Sequence, residues 1–254
     1  MMWSTKDQYL TPDWPAPKNV RSLITTRLGG VSMGAFKSLN LGVHVGDDPE
    51  SVLENRRRLS KSLPSKPFWL NQVHGIEIIQ LTHQTDLHEP PNADGSYTQK
   101  ADHVCCVMTA DCLPVLLCNK QGTQVAAVHA GWRGLLDGVL EKAIDTFDAN
   151  DALMAYLGPA IGPEAFEVGP EVREGFCRVN QSSESAFKSV EGTDKWLADI
   201  YLLAKIRMRK KGLMDIYGGS ECTFQDEERY FSYRRDGQTG RMASCIWLEG
   251  KSED

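Results

Sequence analysis

The sequence predicts an α+β fold built on a mixed sheet or a sandwich. Two observations predict it. Short apolar runs bounded by turn residues crowd the stretch from residue 68 to 130, and they recur near residue 155 and at the C-terminal end. Only three segments carry the period of an amphipathic helix, and they do not alternate strictly with the strand-like runs.

The first helix is expected in "DDPESVLENRRRLSKSL", with Asp48 as N-cap, Pro49 at the first helical position and a partial stripe of Val52, Leu53, Leu59 and Leu63. The second is "GLLDGVLEKAIDTF", where Leu136, Val139, Leu140, Ala143, Ile144 and Phe147 share one face. The third is "DKWLADIYLLAKIRMRKKG", with Trp196, Ile200, Leu203 and Ile206 repeating and a Lys-Lys-Gly end. Strands are expected at "FWLNQVHG", "IEIIQLT", "DHVCCVMTA", "LPVLLCN", "TQVAAVHA" and "AYLGPAIG". "RYFSYRR" and "RMASCIWLE" bracket the turn residues 236–240, which reads as a hairpin.

The 254 residues show no repeat, low-complexity tract or linker, so one domain spanning 1–254 is the simplest organisation. A net charge of -6 leaves no electrostatic footprint for nucleic acid, and the basic clusters at Arg56–Arg58 and Arg207–Lys211 fall on expected helices. No apolar stretch approaches the roughly 18 residues of a membrane span. Seven cysteines without a secreted spacing, and an N-terminus without signal-peptide character, place the expected protein in the cytoplasm with reduced thiols. Nothing in the residues gives an oligomeric state.

Three strand ends carry chemistry. His74 ends "NQVHG", Cys112 ends "TADC" and His129 sits in "VHAGWRG". Their spacing is far from that of a structural zinc finger and is weak by itself. Adjacent strands would bring them to one rim, where two imidazoles and a thiolate leave a fourth position open for catalysis. The plainer alternative is packing, since cysteines are commonly buried and strand-end histidines commonly just hydrogen-bonded. The other six cysteines read as packing residues, and His44, His83, His88 and His103 as possible further ligands or bases.

The turn after His129 opens a helix start beside Arg133, a candidate anion site. "TTRLGGVSMGAFKSLNLGVHVGDD" is rich in glycine but lacks the P-loop order; it offers Arg27, Asn40 and His44. "FSYRRDGQTGR" offers Tyr233, Arg234 and Arg235, which could stack on a base or clamp an anion.

Together "TRLGGVS", "SLNLGVHVGDDP", "WLNQVHG", "MTADCLPVLLC", "VAAVHAGWRG", "LGPAIGPEAFEVG" and "FSYRRDGQTGRMASCIWL" resemble the laccase-domain family, also described as multicopper polyphenol oxidases or purine nucleoside phosphorylases, and most closely its YfiH-type members. The resemblance covers nearly the whole chain. It implies a single α+β domain, mixed sheets in a sandwich-like core with peripheral helices, similar to the catalytic domains of cytotoxic necrotizing factors. It places metal ligands on His74, Cys112 and His129, with zinc the usual ion and copper possible.

The implied activities are phosphorolysis of adenosine, guanosine, inosine and methylthioadenosine, and deamination of adenosine. Copper-dependent oxidation of polyphenols and editing of peptidoglycan precursors are also implied. Six histidines are too few for a multicopper cluster, which favours zinc over oxidase chemistry. Under the purine reading the partners are a nucleoside and phosphate. Cys112 and His129 are the catalytic candidates, Arg56 and Arg133 the candidates for phosphate, and Asn40 and Tyr233 further substrate contacts. In an amidase, Cys112 would be the nucleophile and His129 its base.

Overall fold

The chain was analysed as a computed structural model that describes residues 8–82, 85 and 89–250. His83 and His88 lie outside the described residues. Two sheets stack at the centre. The first contains β1 (Tyr9–Leu10), β2 (Val20–Thr25), β5 (Cys105–Thr109) and β13 (Met242–Leu248) in the antiparallel order β1-β2-β13-β5. The second has the order β12-β8-β6-β7-β4-β3, formed by Asp215–Gly218, Leu153–Leu157, Leu113–Asn119, Val125–Ala130, Gly95–Thr98 and Ile78–Gln80. Its outer pairs β12/β8 and β3/β4 are parallel and its inner pairs antiparallel, so the sheet is mixed. A small third sheet joins β10 (Phe187–Ser189), β11 (Trp196–Ala198) and β9 (Glu167–Val168).

Alternation along the strands explains the layering. In β6, Leu116 and Cys118 face the first sheet, where they meet Ile24, Val107 and Ile246. Their neighbours Leu113, Val115 and Leu117 face the opposite way, onto the helices. Both faces are therefore covered, which is why "LPVLLCN" and "VAAVHA" read as unbroken apolar runs. The outer face of the first sheet is covered in turn by Leu39, Leu41 and Leu59, the last on helix α1 (Pro49–Ser60). The α+β sandwich-like core with peripheral helices agrees with the expectation.

Helix α1 starts as expected, with the Asp48 carboxylate accepting from Ser51 N. The second helix is two short ones, α2 (Trp132–Asp137) and α3 (Val139–Ile144), because Gly138 adopts φ 103° between them. The third begins later than expected: Asp199 caps α5 (Ile200–Lys210), while Trp196–Ala198 pair as β11. A helix over Pro170–Val179 (α4) was not expected; it buries only Val172 and Phe176, one turn apart, too little for a periodic signal.

The C-terminal hairpin is corrected. Tyr233–Asp236 form a helical turn (α6) capped by Ser232, and β13 pairs with β2 and β5 instead. The side chain of Ser232 takes the Arg235 N–H, which stabilises that turn over an extended strand. "FWLNQVHG" holds only isolated bridges at Phe68 and Asn71 before turning at His74. Among the described residues no helix is long and apolar enough to cross a membrane.

Candidate metal centre

The sheet order brings three distant segments to one end of the sandwich. His129 is the fifth residue of β7, opposite Pro114 of β6. Cys112 occupies the tight turn from β5 into β6, and His74 a turn before β3 at φ 60°. The potential donor atoms of His74, Cys112 and His129 all lie within 4.8 Å of one another, a possible metal-binding triad. Cys112 Sγ is 3.9 Å from His74 Nε2, and the two imidazole rings meet edge to face at 4.8 Å between centroids.

One residue absent from the sequence reading organises them. Asp94, fully buried just before β4, accepts a hydrogen bond from His129 Nδ1 at 2.7 Å. Its carboxylate also accepts the backbone N–H groups of Val73, His74 and Gly75, at 3.3, 2.9 and 2.6 Å. Fixing Nδ1 leaves Nε2 of His129 as the atom free for a metal, the arrangement seen in carboxylate–histidine–metal triads.

Gly131 supplies the room. A Cβ there would lie 2.8 Å from His74 Cδ2 and 3.2 Å from Cys112 Sγ, so any side chain would fill the space the three donors enclose. Gly134 likewise admits the backbone of the His74 turn, since a Cβ would fall 2.6 Å from Gly75 O. The Gly131–Gly134 turn therefore serves close packing. Helix α2 has only six residues, so the expected helix-start anion site beside it has little dipole behind it.

The electrostatics are coupled. Burial raises the Cys112 thiol, but the His129 charge and hydrogen bonds from both histidines outweigh it and hold the thiol below its ordinary value. Burial lowers His129, and the neighbouring Cys112 and Asp94 more than reverse that. Burial also raises Asp94, and its bonds to His129 and the His74 turn pull it down. The result is a thiolate ready to act as a ligand.

Asp111, beside Cys112 at φ 92°, gives its carboxylate to Thr223 Oγ1 at 2.7 Å and to Arg234 N at 2.6 Å. It joins the cysteine turn to the segment bearing Tyr233 and Arg234.

Two cavities adjoin the triad and share His74, Cys112 and Tyr233 in their walls. One, of about 220 Å³, is apolar and aromatic, with Trp132, Ile161 and Phe166 in its wall. Arg133 lies over the Trp132 ring at 4.5 Å, and Arg234 over Phe166 at 5.6 Å. The other, of about 330 Å³, is the more polar of the two, with His44, Gln72, Thr109 and Arg241 in its wall beside Met108 and Ala110.

Of the expected substrate contacts, Tyr233 faces both cavities, with 61% of its surface exposed, and Arg133 faces the apolar one. Arg56 stands behind the polar cavity, its Nε donated to Leu41 O and its guanidinium 3.9 Å above Trp69. Asn40 is corrected: it is fully buried, its amide spent on Gly42, Asp47 and the backbone N–H of Arg241. Arg27 is held by the carbonyls of Lys37 and Glu227. Asp94 and Arg241 were missed, one inside a polar loop sequence and the other behind the expected hairpin. A lone "ADG" before a Tyr–Thr pair was the only local signal for Asp94.

The family model described as multi-copper polyphenol oxidoreductase laccase matches residues 21–249. Purine nucleoside phosphorylase YfiH of Shigella flexneri is 54% identical over 94% of this chain and 98% of that protein. Purine nucleoside phosphorylase PA4543 of Pseudomonas aeruginosa is 50% identical over 95% and 98%. The crystal structure of Neisseria meningitidis protein NMB0706 superposes with a TM-score of 0.90 at 49% identity, covering 96% of this chain and all of that one. With these sequence matches spanning nearly its full length, the chain belongs to the multi-copper polyphenol oxidoreductase laccase family, whose members include the YfiH-type purine nucleoside phosphorylases.

Proposed function

We propose that this chain is a zinc-dependent purine nucleoside phosphorylase, acting as one domain of residues 1–254 on adenosine, guanosine or inosine and methylthioadenosine, and also deaminating adenosine. The names of its relatives support the purine reading. The observation that carries it is the convergence of His74, Cys112 and His129 at the junction of an aromatic and a polar cavity.

The residues fit a metal: two imidazoles and a lowered thiol enclose a space kept clear by Gly131, and Asp94 turns His129 Nε2 inward. His74, Cys112 and His129 would hold it, and when bound it would supply Lewis acidity at the open position. Zinc suits this borderline donor set, and copper would bind it opportunistically.

Trp132, Phe166 and Tyr233 offer flat surfaces for a purine, which stacks on aromatic rings. In phosphorolysis a phosphate oxygen forms a bond to C1′ of the ribose, the C1′–N9 bond breaks, and the base leaves with that electron pair. Arginines at the site neutralise the phosphate. In deamination water replaces the C6 amino group, giving inosine and ammonia. Cys112 and His129 act at the reacting centre through the ligand set.

A second reading, an amidase on a peptidoglycan precursor, is favoured by the Cys112–His129 pair itself, which in metal-free protein resembles a nucleophile beside its base. The copper oxidase reading has the family's description behind it. Against it, His74, Cys112 and His129 form the only group of three such donors among the described residues, whereas a multicopper centre needs several.

The test is incubation of zinc-loaded protein with adenosine and phosphate, followed by chromatography. Adenine and inosine are expected as products. No turnover above that of Cys112→Ala would sink the proposal.

A further inference from the structure

The arginines of this chain differ in whether a carboxylate holds them. Arg21, Arg57, Arg58, Arg173, Arg207, Arg229 and Arg235 each pair with one. Arg133 and Arg234 line the aromatic cavity, Arg241 lines the other and Arg56 lies behind it; these four make no ion pair among the described residues, and neither do Arg27, Arg178 and Arg209 away from the cavities. In a chain of net charge -6, leaving these guanidiniums unpaired round one cleft marks it for an anion.

All four guanidiniums lie over aromatic rings, Arg241 over Tyr233 at 5.9 Å, and what separates them is their hydrogen bonding. In the aromatic cavity Arg133 and Arg234 lie over rings, and Arg234 Nη1 is spent on Glu167 O. In the polar cavity Arg241 is clamped for presentation. Its Nη1 donates to the carbonyls of Thr239 and Gly240, both at 3.0 Å, and its backbone N–H is held by Asn40 Oδ1 at 2.9 Å. Its stem packs so closely on Gly42 that a Cβ there would lie 2.9 Å from Arg241 Cγ. Nε and Nη2 make no hydrogen bond to any described residue and belong to a side chain in the cavity wall. Such a pre-set fork matches an oxyanion with little further loss of side-chain freedom.

We infer that the polar cavity is the phosphate subsite, with Arg241 as the bidentate donor, His44 as the second contact and Arg56 reinforcing the field from behind. The assignment rests on the phosphorylase reading and deepens it: nucleoside in the aromatic cavity, nucleophile in the polar one, and the metal triad between. It moves the phosphate from Arg133 to Arg241. It also gives Asn40 a purpose as a positioning residue, since its amide oxygen fixes the Arg241 backbone. Partial burial, with Arg241 and Arg56 nearby, lowers the proton affinity of His44, so at neutral pH its ring can accept a hydrogen bond from a P–OH as well as donate one.

Isothermal titration of the full-length protein with inorganic phosphate tests this. Wild type is expected to bind one phosphate. Arg241→Gln should weaken binding by about 10-fold or more, while Arg133→Gln stays within about 2-fold. His44→Gln should fall in between, and it serves as the second variant should Arg241→Gln fail to fold by circular dichroism. The subsite is overturned if wild type binds no phosphate, if Arg241→Gln and His44→Gln bind like wild type, or if Arg133→Gln alone loses it. Phosphate binding lost in Arg241→Gln, in a protein that never cleaves nucleosides, keeps the subsite and removes the phosphorylase. Phosphorolysis with an unchanged KM for phosphate in Arg241→Gln keeps the phosphorylase and removes the subsite.

Discussion

The buried carboxylate of Asp94 grips His129 by its Nδ1 at 2.7 Å, and the same two oxygens gather the N–H groups of the turn that carries His74. One side chain thus sets the direction of one candidate ligand and the position of another. Asp94→Asn would offer an amide N–H where the carboxylate accepts, or force the other histidine tautomer and a protonated Nε2. Zinc affinity, read by competition with a chromophoric chelator, should fall about 10- to 100-fold. Unchanged affinity would remove Asp94 from the site's architecture.

Gly131→Ala separates site from fold. Gly131 sits at φ -65°, ψ 158°, which alanine adopts freely, yet its Cβ would crowd His74 and Cys112. The expected result is a melting temperature within a few degrees of wild type, with zinc binding lost or greatly weakened. Full zinc occupancy in this variant would mean the donors enclose no shared ion.

In metal-free protein, Cys112 should be the thiol that alkylates fastest. Burial pushes Cys105 and Cys118 up to about 12, whereas Cys112 is held below its ordinary value by His129 and His74 despite burial. A lowered thiol keeps its thiolate as pH falls, losing it only on passing the folded-state value. The iodoacetamide rate at Cys112, followed by peptide mass spectrometry, should therefore have its midpoint below about 8.5, the ordinary thiol value. Added zinc should suppress the reaction.

Asn40→Ala should act on stability. The buried amide serves Gly42, Asp47 and Arg241, and removing it strands their partners at a cost of about 2–3 kcal/mol. Denaturant unfolding checks the loss. Unchanged stability would remove the buried amide from the framework that holds Gly42, Asp47 and Arg241.

Cys112 and His129 were legible because they lie at the ends of buried apolar strands that meet at one rim of the sandwich, whereas His74 reaches that rim on a turn and not on the expected strand. The two buried strands β6 and β7 were legible by their apolar runs. Asp94 was not: "PPNADG" has loop composition, and its role exists only because the β4/β7 register sets it beside His129. Arg241 was hidden by the hairpin expectation, since local turn chemistry at 236–240 says nothing of β2 and β5, which β13 joins from 133 or more residues away (242 − 109). The break at Gly138 was equally invisible to periodicity, because α2 and α3 keep the apolar face on either side of it.

The central claim, that His74, Cys112 and His129 hold one metal, is tested most directly by crystals of zinc-loaded protein measured at the zinc absorption edge. A single strong anomalous peak is expected, bound by His74 Nε2, Cys112 Sγ and His129 Nε2, with Asp94 still on His129 Nδ1. Zinc bound elsewhere, with a free Cys112 thiol beside His129, would contradict the claim and restore the nucleophile.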